Sequence, residues 1–326
     1  MKAHYSDAVS GICAYEILNS LSVEKGVKTQ TMNRGKQMIG VKIVSYSMLI
    51  IFSLLCIIPF LIIISASLSS EGELAKFGYF IMPRGITLSA YKMVLQNPRS
   101  LIGAYKVTIF TTAVGSVMSV IISAMLAYPL SRQDYKWRNY INFFVYFTML
   151  FSGGAVPSYI LIAQYMHLRN NIWVLIIPLL VNPWNVFLMR TYFAQVNKAL
   201  IEAAAIDGAG ELRIFFMVVV PVSITGMATV FLMIALAFWN DWYQCLMFMT
   251  NEKILTLQYF LARVMSNIDD MLKNSASISS GVDLSSMPSE TTRMAMCVFA
   301  AGPMVFVFVF FQKYFVRGIS VGSVKG

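Results

Sequence analysis

The sequence predicts an all-α integral membrane protein with six transmembrane helices. Three observations carry that expectation. The 326 residues are 58% hydrophobic and only 12% charged, with a mean hydropathy of +0.68, which leaves too little polar surface to wrap a soluble domain. Apolar runs long enough to cross a bilayer, about 20 residues for a core of roughly 30 Å, recur six times along the chain. Lys and Arg concentrate in short connections on one side of those runs, as the positive-inside tendency requires.

The first run spans about 43–68 and follows a polar extension, 1–42, that lacks a signal-peptide hydrophobic region. Met32 and the basic flank NRGKQ after it make residues 1–31 an unstructured extension or a misassigned start, dispensable in either case. Residues 43–326 are expected to form one transmembrane domain. The segment from Ser69 to Lys106 contains Pro83, Gly85 and Pro98 and reads as a compact cap with little regular structure. The second run is 107–130. The third, 141–163, is interrupted at FSGGAVPSY, where Gly153, Gly154 and Pro157 break the helix. Such a break at membrane depth fits either a water-filled pathway or a kinked packing helix.

The fourth run is 172–189 and the fifth 222–242, with the connection 190–221 between them. A long segment, Thr250 to Thr292, then divides into a helical half, LQYFLARVMSNIDDMLKN, and a serine-rich link, before the sixth run at 294–311. Arg132, Lys136 and Arg138 follow the second run, and Lys313, Arg317 and Lys325 fill the tail, whereas the short loop after the third run has only Arg169. Both termini and the 190–221 connection are therefore placed in the cytoplasm.

The formal charge of +10 does not indicate nucleic acid, because the basic residues flank spans and form no aromatic-interleaved patch. Cys13, Cys56, Cys245 and Cys297 show no pairing pattern, and His4 and His167 are the only imidazoles, so no metal site is expected.

The connection holds the stretch EAAAIDGAGELRIFFMVVVP, Glu202 to Pro221. Ala, Leu, Glu and Lys favour a first helix, with Val196, Leu200, Ala203 and Ala204 on one face. Asp207 and Gly208 end it, since glycine accepts the left-handed backbone of a helix C-cap. Glu211 opens a second helix, where its charge suits the dipole, and Pro221 marks the return to the membrane. The expected unit is helix, tight turn, helix. A bulky residue at Gly208 would strain the backbone and push a side chain into the turn, and Glu202 is expected to pair with a basic or backbone group nearby or on a partner. Bilayer physics does not require such a hairpin, whereas docking to another protein would.

Glu202-Ala203-Ala204, three residues, Gly208, nine residues, then Val218-x-Val220-Pro221 resembles the EAA loop of ABC importer permeases, with valines where that pattern usually has Ile and Leu. AYPLSR at Ala127 to Arg132, WND at Trp239 to Asp241 and the tail QKYFVRGISVGSVKG are similar to the second permease subunit of the maltose type, and the long 250–292 segment resembles its oligo- and polysaccharide branch. The resemblance covers about Met32 to Gly326.

The resemblance implies the type I ABC importer permease fold and a multi-pass subunit in the cytoplasmic (inner) membrane of a prokaryote, surrounded by lipid. The implied partners are a second permease, two cytoplasmic ATPase subunits and an extracytoplasmic solute-binding protein. The chain contains no G-x-x-x-x-G-K-[ST] phosphate loop. It would thus bind no cofactor and catalyse no reaction, with ATP and Mg held by the partner ATPase. Glu202, Ala203, Ala204, Asp207, Gly208 and Pro221 would form the ATPase-coupling element, and Gly318, Gly322 and Gly326 would either reach into the ATPase dimer or lie in a plain flexible tail.

Polar groups within spans, Asn182, Asn185, Trp239, Asn240 and Asp241, are candidates for the substrate path. Trp239, Trp242 and Tyr243 suit stacking on a sugar face and equally suit an interfacial aromatic belt. The competing readings are an ABC permease for an amino acid, polyamine or phosphate, a secondary transporter, and a membrane-embedded interaction protein. Secondary transport would call for several ionisable groups in spans, where Asp241 stands alone.

Overall fold

The structure, a computed structural model, describes residues 42–96, 98–277 and 289–323, and every regular element among them is helical. The expectations placed on residues 1–31, on Gly326 and on the link at 278–288 lie outside the described residues.

Contacts divide the chain into residues 1–62 and 63–326. The first unit contains most of α1 (Lys42–Ser67), a 26-residue helix. It is apolar on every side, with Met48 73%, Phe52 67% and Phe60 57% exposed. A helix of that length and uniform apolarity is matched to lipid or to other membrane helices, not to water.

In the second unit the segment expected to have little regular structure forms α2 (Glu71–Phe77) and α3 (Ser89–Val94), and α4 (Pro98–Ser131) begins nine residues before the predicted span. The missed signals were local. Glu71 and Glu73 lie in the first turn of α2, Gly78 closes it at φ 77°, and Pro98, which has no N–H, is suited to a helix's first position.

At 34 residues, α4 is about 51 Å long. It packs on α7 (Pro183–Phe193) and α11 (Ile224–Trp239), and α11 packs in turn on α14 (Glu290–Ser323). Thr108, Thr111, Gly115, Ser116, Ser119 and Ser123 give α4 a buried face of small side chains. A Cβ on Gly115 would lie 2.5 Å from the Phe238 ring, so glycine sets that helix separation.

Two predicted spans, the third and the fourth, are not single rods, and a further bend falls where the 190–221 connection enters the fifth. After α5 (Arg138–Leu150), the chain bends by 111° through Gly154, at φ 84°, into a helix over Ala155–Tyr165, whose first turn is α6 (Ala155–Tyr159) and whose remainder is π-helical. At about 20 Å, the 13 residues of α5 are shorter than a bilayer core. Two 3₁₀ turns over Ile172–Leu179 meet α7 at 52°. The helical segment Glu211–Val222 meets α11 at 83° across Ser223. The remaining elements are α8 (Lys198–Ile206), α9 (Glu211–Ile214), α10 (Val220–Val222), α12 (Tyr243–Phe248) and α13 (Leu257–Ser277). The backbone of α14 stays helical through Gly318 and Gly322.

Two apolar cores result. One collects Leu101, Leu175, Trp239, Phe248, Leu257 and Leu261. The other collects Ala124, Leu130, Met189, Phe193, Ile201, Phe215 and Phe238. Because α4 contributes to both, it links the end that holds α13 to the end that holds α8 and α9.

Candidate functional site

The stretch from Glu202 to Pro221 folds as a helical hairpin. Its first limb, α8, starts at an N-cap, Asn197, whose side-chain oxygen accepts from the Ala199 N–H at 3.0 Å. Ile201, 8% exposed, is the buried residue of this limb, while Leu200 is 47% exposed and Ala203 is exposed. Of the expected face, Val196 is buried and Ala204 packs against the same core, whereas Leu200 and Ala203 are exposed and Ile201 takes the inward position. Val196 precedes the N-cap and so contributes from outside the helix.

The turn is a Schellman motif. Ala209 N–H donates to the Ala204 carbonyl and Gly208 N–H to the Ala205 carbonyl, both at 3.0 Å. Gly208 has φ 78°, as the left-handed cap position demands, and nothing lies within 4 Å of where its Cβ would stand. The expected crowding of the turn is thus absent and the constraint is backbone strain alone. Glu202 and Asp207 are exposed, and the Glu202 carboxylate has no ion-pair or hydrogen-bond partner among the described residues. The local pairing expected for it is not made.

The second limb begins with α9 and passes through a π-turn, Phe215–Val219, into α10. Pro221 lies in α10. Proline removes an N–H donor from the helix ladder, and the widened π-turn immediately before it, where Val220 N–H reaches back to the Phe215 carbonyl, accommodates the loss. The hairpin leaves Ile206 85%, Leu212 68% and Met217 65% exposed.

A polar clasp unforeseen in the sequence ties this hairpin to the end of α4. Tyr128 O–H donates to Glu211 Oε2 at 2.7 Å, and Arg132 Nη2 is 3.7 Å from Glu211 Oε1. Arg132 also forks onto Asp134, Nε to Oδ1 at 2.9 Å and Nη2 to Oδ2 at 2.7 Å. The guanidinium holds the Asp134 carboxyl below its usual range, and the same pairing raises Arg132. Lys198 Nζ donates to Gln133 Oε1 at 2.7 Å, so the loop after α4 holds both limbs. The only signal was the AYPLSR string itself, and no spacing rule links Tyr128 to a glutamate 83 positions away.

The candidate path residues occupy several elements. Asn182 is not mid-helix: its Oδ1 caps α7 by accepting from Trp184 N–H at 2.9 Å. Asn185 is buried on α7 at 9% exposure. Trp239 is 5% exposed and its indole N–H donates to the Ala300 carbonyl at 2.9 Å, so it is a core residue without a free stacking face. Asn240 ends α11, donating to the Leu236 carbonyl at 2.9 Å and accepting from Gln258 Nε2 at 3.4 Å. Asp241 accepts from Gln244 N–H through Oδ1 at 3.4 Å. Its buried Oδ2 has no hydrogen-bond partner among the described residues. Trp242 and Tyr243 are 49% and 43% exposed. Beside Asn240 and Gln258, α11 and α14 enclose an open, mostly apolar cleft of about 500 Å³.

Long apolar helices, bent helix pairs and an added hairpin clasped to α4 define a multi-pass membrane protein. The chain belongs to the family of binding-protein-dependent transport system inner membrane components, which matches residues 119–321. Over 284 residues it is 33% identical to the polygalacturonan/rhamnogalacturonan transport system permease protein YtcP of Bacillus subtilis, covering 86% of this chain and 96% of that one. Over 270 residues it is 36% identical to protein LplC of the same organism, covering 83% and 90%. A chain in the crystal structure of a bacterial ABC transporter involved in the import of the acidic polysaccharide alginate superposes with a TM-score of 0.70 at 30% identity, covering 86% of this chain and 98% of that one. The fold is thus the type I ABC importer permease fold, and the chain is a transport permease subunit of a membrane.

Proposed function

We propose that this chain is one of two permeases in an ATP-driven importer that carries an oligosaccharide or polysaccharide fragment across a prokaryotic cytoplasmic membrane. The observation that carries the reading is the clasped hairpin between α7 and α11 in a chain of this family, with an exposed apolar tip suited to a protein cleft. The hairpin, with Glu202, Ala203, Ala204, Asp207, Gly208 and Pro221, docks on the ATPase. Two ATPase subunits bind ATP and Mg, a solute-binding protein delivers the glycan from outside, and both termini lie in the cytoplasm with the hairpin. Two of the neighbours named above state a polysaccharide cargo, which supports a glycan over an amino acid, polyamine or phosphate. Asn185, Asn240 and Asp241 line the path, and Trp242 and Tyr243 keep the stacking role expected of them together with Trp239.

The test is reconstitution of the chain with its native partner subunits in proteoliposomes, measuring ATP hydrolysis and uptake with the binding protein and a panel of acidic and neutral oligosaccharides. Stimulation confined to one glycan class is expected. No glycan stimulating hydrolysis, while an amino acid, polyamine or phosphate does, would overturn the sugar reading.

A further inference from the structure

The AYPLSR segment and Glu211 together raise the question of what holds the hairpin to the membrane part. Packing does so only in part. Between α4 and the second limb lies a cavity of about 400 Å³, bordered by Tyr128, Pro129, Arg132, Leu212 and Phe215. On its other side the limb buries Ile214, Phe215 and Val219 in the core, and such apolar contact is non-directional. The directional contacts there are polar. The Tyr128 ring is 9% exposed and stacks obliquely on Phe215, with centroids 5.2 Å apart, so its hydroxyl is aimed from a fixed ring. The 2.7 Å bond from that hydroxyl to a carboxylate is of the short, charge-assisted kind. The other Glu211 oxygen faces Arg132, whose planar guanidinium is held by the two bonds to Asp134. Glu211, its side chain 65% exposed, is thus hydrogen-bonded through one oxygen and faced by a cation at the other.

We propose that Tyr128, Arg132 and Glu211 are positioning residues that make the second limb and α4 move as one body, so that displacement of the hairpin is delivered to α4, which, like α11, contributes to both cores of the permease. The far part of α4 carries the matching contact, since Thr108 Oγ1 accepts from Leu257 N–H, the first residue of α13, at 2.7 Å. Motion imposed on the clasp therefore reaches the α13 end along a continuous helix. This inference rests on the importer reading given above.

The experiment uses the whole reconstituted importer and reads ATP hydrolysed per sugar taken up, alongside co-purification of the ATPase and thermal stability. Tyr128→Phe removes one oxygen and keeps the ring, and Glu211→Gln keeps shape and removes charge. Each is expected to raise the ratio about fivefold or more, the lower end of site-to-site coupling, with ATPase recovery and unfolding midpoint unchanged. Because the two act through one bond, the double variant should be no worse than the poorer single one. Glu211→Asp, which retains the charge, should recover part of the coupling. A wild-type ratio in Tyr128→Phe, or effects that multiply in the double variant, would overturn the clasp while leaving the importer reading intact. A wild-type complex that hydrolyses ATP but imports no glycan would overturn the importer reading and the clasp with it.

Discussion

Gly208 offers the sharpest perturbation of the hairpin, because its environment separates backbone strain from steric clash. Its φ of 78° lies in the left-handed region and no atom stands within 4 Å of a built Cβ. Replacement by Ala therefore meets no neighbour, and the cost is that of a left-handed L-residue, about 1–2 kcal/mol. Val adds a β-branch to the same backbone and should cost more, whereas Asn tolerates this conformation and should cost least. If docking needs the Schellman turn, each kilocalorie weakens the ATPase interaction by about fivefold, so Gly208→Ala should lower affinity by about 5- to 30-fold. The assay is titration of purified ATPase onto the detergent-solubilised permease, followed by uptake in proteoliposomes. The expected order is Gly, Asn, Ala, Val, with the subunit still inserted in membranes. Equal binding by all four residues would refute the coupling role. An Asn variant as poor as Val would refute the backbone explanation.

Two further perturbations bear on the rest of the second unit. Glu71 accepts from Glu290 N–H and Thr291 N–H, both at 3.0 Å, and from the Ser289 and Thr291 hydroxyls, capping the start of α14. Glu71→Ala should cost about 1–2 kcal/mol and lower the unfolding midpoint in detergent, with Glu71→Gln intermediate, and an unchanged midpoint would refute the capping role. A Cβ on Gly226 would come within 2.4 Å of the Tyr192 ring, whereas none would meet anything within 4 Å at Gly103. Gly226→Ala should therefore destabilise by about 1–3 kcal/mol while Gly103→Ala changes little, and equal melting of the two variants would sink the close-packing account of α7 against α11.

Uninterrupted apolarity made α1 and α4 legible, and the hairpin was legible because Ala, Leu and Glu before Asp207-Gly208 spell both a helix and its stop. Angles were not. Gly153-Gly154 announced a break, but its 111° depends on packing of the flanking helices and has no local code. Residues 172–189 read as one span because hydropathy averages over Pro178 and Pro183. In the structure Pro178 falls in a 3₁₀ turn and Pro183 opens α7, which turns Asn182 from a mid-span polar group into an N-cap. The Asn-Pro pair was the available signal, since Asn favours a cap and Pro a first helical position.

The path residues were harder to read because polar groups inside membrane helices answer two demands, lining a cavity or satisfying backbone that a break has freed. The sequence alone does not separate them. The structure favours the second demand at several positions. Pro303 removes the N–H that the Phe299 carbonyl would meet one turn on, and Tyr105 O–H supplies a donor at 2.7 Å. The Ala300 carbonyl beside it takes the Trp239 indole N–H. The Leu180 carbonyl, left between the 3₁₀ turns and α7, takes Ser119 O–H at 2.7 Å. Each donor lies on α4 or α11 and each acceptor lies near an in-helix proline or a break, at separations of 61 to 194 residues. Trp239, which looked suited to a sugar face, therefore serves, like Tyr105 and Ser119, as a donor to a backbone carbonyl. Asp241 differs, since its buried Oδ2 has no hydrogen-bond donor among the described residues, and a carboxylate oxygen left so at the end of α11 is the feature a backbone-satisfaction account leaves unexplained.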